Sequence, residues 1–101
     1  MKRLRATKEK FAIRSGGHSP LPQWANIDGG VLISMKAIAD LTYDKSTETI
    51  RVGAGNTWGQ VYDFLKSSQR VVVGGRSPNV GFGMLTGGKP FKLNRCKIIC
   101  I

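Results

Sequence analysis

The stretch of this sequence best suited to hold a ligand is Arg14-Ser15-Gly16-Gly17-His18-Ser19. Two adjacent glycines let the backbone turn sharply and bring successive N–H groups together, with no Cβ to obstruct an approaching anion. Ser15 and Ser19 add hydroxyl donors and Arg14 adds positive charge, so a diphosphate is the natural guest. His18 stands at the end of the loop, where its imidazole can face whatever is bound. By residue type alone, an ordinary turn with a hydrogen-bonded histidine fits equally well, because a Gly-Gly-His triplet is not specific.

A second candidate runs from Gly74 to Gly88 and includes Gly75, Pro78, Gly81, Gly83, Thr86, Gly87 and Gly88. A loop of this length and content is usually either functional or without fixed structure. The apolar residues between its glycines favour a packed loop lying along a flat, extended ligand. Its last part, Gly83-Met84-Leu85-Thr86-Gly87-Gly88-Lys89, has the spacing of a nucleoside-triphosphate P-loop as far as the lysine. The next residue should be Ser or Thr to hold magnesium, and it is Pro90, so the match reads as chance. Asp28, Asp40, Asp44 and Asp63 are scattered, with no pairing suited to acid–base work. Cys96 and Cys100 have no histidine near them in sequence and do not read as a metal site. Trp24 and Trp58 read as packing residues.

The elements that must position these loops are short. Phe11 to Arg14 reads as a strand feeding the first loop, and Val31 to Met35 as a buried strand after Gly29-Gly30. Leu41 and Tyr43 alternate with polar residues, as do Ile50 and Val52, and the polar run Asp44–Glu48 between them predicts a hairpin. One helix is predicted over about 57–67. Thr57 and Gln60 have capping-box spacing, and Trp58, Val61, Tyr62 and Leu65 form one apolar face. Val71–Val73 reads as a short apolar strand, and 76–88 as loop. Short strands with one main helix predict an α+β domain.

Charge bounds the function. The net charge is +10, but residues 1–10 and 89–101 each carry +4, which leaves the body at 11–88 nearly neutral. A nucleic-acid interface on a folded face would need its charge in that body, so nucleic acid is disfavoured. A non-enzymatic basic module that binds nucleic acid or acidic surfaces through its tails stands as the alternative reading. No run of about 20 apolar residues predicts a membrane span. The basic N-terminus lacks a signal-peptide apolar core, which predicts a cytoplasmic location.

Several segments together resemble one family. They are Phe11–Ser19, Ile27-Asp28-Gly29-Gly30 running into Val31–Met35, Ile50–Gly55, Trp58–Tyr62, Val73-Gly74-Gly75 and Val80–Gly88. In this order, over about 11–88, they resemble the FAD-linked oxidases of the vanillyl-alcohol-oxidase and berberine-bridge-enzyme group, whose FAD-binding domain is of the PCMH type. The fungal berberine-bridge-like branch is the most similar. The resemblance implies that Arg14, Ser15, Gly16, Gly17, His18 and Ser19 wrap the FAD diphosphate. It implies that Gly75, Pro78, Gly81, Gly83, Thr86, Gly87 and Gly88 belong to the flavin loop. It further implies that His18 bonds covalently to the flavin 8α-methyl carbon, and that a small-molecule substrate passes hydride to flavin N5 before reoxidation by oxygen.

The resemblance stops at Gly88, and Met1–Lys10 and Lys89–Ile101 depart from it. The chain therefore reads as a basic tail (1–10), a partial FAD-binding domain (11–88) and a divergent basic tail (89–101). The family's substrate domain and catalytic base are not among its residues, so the catalytic residues are unknown and activity of this chain alone is not expected. Full-length relatives of this kind are often secreted.

Overall fold

A computed structural model describes residues 8–83 and, for the backbone alone, 97–100. Two small sheets and one helix make up the described part. Strand β1 (Phe11–Arg14) pairs in parallel with β2 (Val31–Ser34), with Phe11 opposite Val31 and Arg14 opposite Ser34. The pairing extends past both ends: Val31 N donates to Lys10 O at 3.0 Å and Met35 N to Arg14 O at 2.8 Å. The first glycine loop therefore leaves the end of a strand held on one side.

Strands β3 (Leu41–Asp44) and β4 (Thr49–Val52) form the predicted antiparallel hairpin, with Leu41 opposite Val52. Its turn is tied by Asp44, whose Oδ1 accepts from Ser46 N at 2.8 Å and Ser46 Oγ at 2.6 Å. Hydrogen bonds from the Ser46 side chain, then its backbone, with help from Thr47, hold the Asp44 carboxyl below its ordinary value. A fifth strand, β5 (Lys97–Cys100), pairs in parallel with the other edge of β4. It lies in a segment for which the residue pattern alone predicts no element.

The helix α1 (Trp58–Lys66) starts where the capping box places it: Gln60 Oε1 accepts from Thr57 N at 2.8 Å. It ends at Ser67, where Ser68 N and Arg70 N both return to Leu65 O, and Gln69 takes a left-handed φ of 52°. Its apolar face packs on the hairpin. Trp58, Val61 and Leu65 join Ile50, Val52 and Phe82 as the buried core, with Leu41, Tyr43, Tyr62 and Val72 around it. Trp58 stacks on Tyr62 with ring centroids 5.8 Å apart and meets Phe82 at 4.9 Å.

Three expectations fail. Val71–Val73 is not a strand: the chain there lies against α1 rather than beside a sheet edge, and Val71 is 83% exposed. Val31–Ser34 is not buried, because only β1 pairs with it among the described residues and no second layer covers the pair. Trp24 is 73% exposed and packs no core, while Trp58 does. Thr86, Gly87 and Gly88 lie outside the described residues. No helix among the described residues is long and apolar enough to cross a membrane. No three His, Cys, Asp or Glu side chains gather there as a metal-binding group.

Candidate functional site

The first glycine loop turns immediately after β1. Gly17 sits at φ 72°, a conformation that an L side chain adopts only at a cost of about 1–2 kcal/mol. The Arg14 side chain folds back over it, so that a Cβ at Gly17 would lie 3.0 Å from Arg14 Cδ. The consequence for the backbone is specific. Among the described residues, the N–H groups of Gly16, Gly17, His18 and Ser19 donate to no protein acceptor. Unpaired backbone donors are rare when buried, and here they are left at the surface, where an anion can take them. Arg14, Gly17 and Ser19 line a cleft of about 440 Å³ together with Gln23, Asn26 and Asp28. His18 is exposed beside it and, with Ser19 and Pro20, borders a second hollow of about 350 Å³.

The structure gives the two serines different work. The Ser15 hydroxyl donates to Ala54 O at 2.5 Å and lies 3.4 Å from Gly83 N, which donates to it. Its proton is thus committed to the protein, and it ties three loops together. Ser19 Oγ accepts from Leu21 N at 3.3 Å, which leaves its own proton for a ligand.

The second glycine loop meets the first at one point. Gly16 and Gly81 touch backbone to backbone: a Cβ on Gly16 would come within 2.7 Å of Gly81 Cα, and one on Gly81 within 2.8 Å of Gly16 Cα. Gly81 and Gly83 therefore join the Arg14–Ser19 loop. Gly75 and Pro78 do not. They sit on α1, where Gly75 lies against the Trp58 indole and its carbonyl accepts from Tyr62 Oη at 2.8 Å. Pro78 O accepts from Gly59 N at 3.0 Å, and Val80 O from Trp58 N at 3.1 Å.

One scaffold residue escaped the sequence reading. Asn56 is 1% exposed, and its Nδ2 donates to Gly53 O at 3.0 Å and Asp40 O at 3.4 Å. The Asn56 backbone carbonyl accepts from Phe82 N at 2.8 Å, which anchors the second loop beside Gly81. The available signal was a polar residue directly between Gly53-Ala54-Gly55 and the helix cap, where a buried side chain must satisfy freed carbonyls.

Tyr62 supplies a test of how the second loop is seated. Burial pushes its phenol above the ordinary value of 10.0. A folded-state value above the unfolded one means that the Tyr62 contribution is fully present below about pH 10 and is lost as pH rises through the folded value. Urea denaturation from about pH 8 to 11 should show wild-type stability falling at the alkaline end. Tyr62→Phe should start about 0.5–1.5 kcal/mol lower, for the lost bond to Gly75 O, with a shallower alkaline decline. Equal alkaline slopes in the two proteins would remove Tyr62 from this role.

A family model described as an FAD binding domain matches residues 1–88. Among curated relatives, the bifunctional solanapyrone synthase of Alternaria solani is 54% identical over 79 residues, covering 78% of this chain and 15% of that protein. The FAD-dependent monooxygenase tpcD of Cochliobolus heterostrophus is 45% identical over 84 residues, covering 83% of this chain and 16% of that protein. Among solved structures, 6-hydroxy-D-nicotine oxidase of Arthrobacter nicotinovorans superposes with a TM-score of 0.74 at 26% identity, over 80% of this chain and 18% of its own. A BBE-like protein of Physcomitrella patens does so with a TM-score of 0.69 at 29% identity, over 80% and 18%. The chain thus spans about one sixth of the length of these relatives.

Proposed function

Because this chain belongs to the FAD-binding-domain family, we propose that it forms the diphosphate-gripping part of a flavin-dependent oxidoreductase. The observation that carries the reading is the row of four N–H groups at Gly16–Ser19 that have no acceptor among the described residues, beside the Arg14 side chain and the cleft. The donor set suits a diphosphate: successive amides without Cβ obstruction at two of four positions, one hydroxyl proton from Ser19, and one cation. We assign the covalent link to the flavin ring to His18, which is exposed at the end of that row. Held there, FAD would supply hydride-acceptor chemistry toward an organic substrate. The work of this chain is to hold the dinucleotide and fix its orientation. The substrate is a small molecule engaged by parts of the relatives that this chain does not span.

Titrating the full chain with FAD and following flavin fluorescence tests the grip. Saturable quenching that ADP competes away is the expected result, and no saturation at any FAD concentration would end the proposal. The link to His18 is tested separately. Flavin should survive acid precipitation of the wild-type protein and be released from His18→Ala, while saturable binding persists in both. Flavin released equally from both would remove the covalent role and leave the grip standing.

A further inference from the structure

The family match ends at residue 88, yet the described backbone continues the core sheet nine residues later. Strand β5 runs parallel to β4 in unbroken register: Thr49 opposite Lys97, Ile50 opposite Ile98, Arg51 opposite Ile99 and Val52 opposite Cys100. The strand it joins is the most buried of those whose burial is described, since Ile50 and Val52 have no exposed surface. Strand β3 occupies one side of β4. Without β5, the other side would present unpaired N–H and C=O groups in the middle of the core, an open template for a strand from another chain.

We propose that Lys97–Cys100 is a closing strand carried by this chain itself, which occupies the β4 edge and makes the hairpin–helix unit self-contained. The residue pattern agrees with the register. Apolar Ile98 and Cys100 fall opposite the two buried positions of β4, and Lys97 and Ile99 opposite Thr49 and exposed Arg51. Reach is no obstacle, because the thirteen intervening residues can span roughly 45 Å when extended. Among the described residues, the pairing moves the exposed edge to β5, which opens on a charged residue, Lys97. A lysine on an edge strand opposes addition of a second copy. The segment outside the family match thus both completes the sheet and discourages its extension.

The register gives a direct test in the full chain. With Cys96 and Cys100 replaced by serine, Arg51→Cys combined with Ile99→Cys should form an intramolecular disulfide under mild oxidation. Partners opposite in register lie within bridging distance. A monomer with shifted mobility on a non-reducing gel is expected, whereas only reduced or interchain-linked product overturns the pairing. A second measurement uses proline, which removes one ladder donor. Of two adjacent strand residues, one directs its N–H to the neighbour, so either Ile98→Pro or Ile99→Pro should break the pairing. Amide exchange at Thr49–Val52 should then rise by about tenfold, with light scattering increased and the helix amides of Val61–Leu65 still slow. Unchanged exchange at β4 in both variants overturns the proposal.

Discussion

Trp58→Ala should abolish most of the cooperative unfolding transition of this chain. The Trp58 side chain is 3% exposed and belongs to the one cluster of buried apolar residues among those described. It stacks on Tyr62, contacts Phe82 and backs the Gly74-Gly75 backbone. Truncating a buried tryptophan costs about 3–5 kcal/mol in lost burial and residual cavity. A domain of this size has a total of roughly 5–15 kcal/mol, and a small core lies near the lower end. Urea denaturation followed by far-UV circular dichroism should therefore show a midpoint shifted close to zero denaturant. Trp58→Phe keeps a ring in the site and should lose far less. If Trp58→Ala unfolds within about 0.5 kcal/mol of wild type, the core does not pack around the indole.

Gly16→Ala is the second large effect, and it separates the ligand loop from the core. The added methyl has nowhere to go, because the obstacle is backbone: Gly81 Cα at 2.7 Å and Asn79 O at 3.3 Å. Backbone cannot swing aside as a side chain can, so the two loops must part. Overpacking of this kind costs about 1–3 kcal/mol. The amides of Gly16–Ser19 would turn with the loop, and FAD affinity in the same titration should fall by at least about tenfold, the equivalent of 1.4 kcal/mol. Gly29→Ala is the matched control, since it meets nothing within 4 Å and differs only in its φ of 68°. It should cost about 1–2 kcal/mol of stability and leave FAD affinity nearly unchanged. A Gly16→Ala protein that binds FAD as wild type does would dissociate the loop contact from ligand binding.

The elements with strong local signals were legible in the sequence. The capping box at Thr57 and Gln60 and the apolar face through Leu65 fixed α1 to within a residue at each end. Alternation at Leu41, Tyr43, Ile50 and Val52 fixed the hairpin and its buried face. Val71–Val73 misled because three β-branched residues look like a strand wherever they stand, whereas a strand needs a free partner edge that no local pattern reveals. The same non-locality hid β5, which forms because β4 offers an edge 45 or more residues away. At the site, the glycine loops were visible as residue types, but their meeting at Gly16 and Gly81 was not. Nor was the diversion of the Ser15 hydroxyl to Ala54 O, because that contact closes over 39 residues. The likeness of ordered segments named the cofactor family where residue types alone left an ordinary turn open.

The seating of the second loop on α1 has an electrostatic consequence. The first amides of a helix carry its partial positive charge, and many nucleotide folds aim that pole at a phosphate. Here the Trp58 and Gly59 amides already point at the carbonyl oxygens of Val80 and Pro78, so the pole is spent inside the protein. Among the described residues that line the cleft, attraction for an anion then comes from the short range of Gly16–Ser19 and the charge of Arg14. Capture of a ligand by this unit should be governed by fit at close contact and depend only weakly on ionic strength.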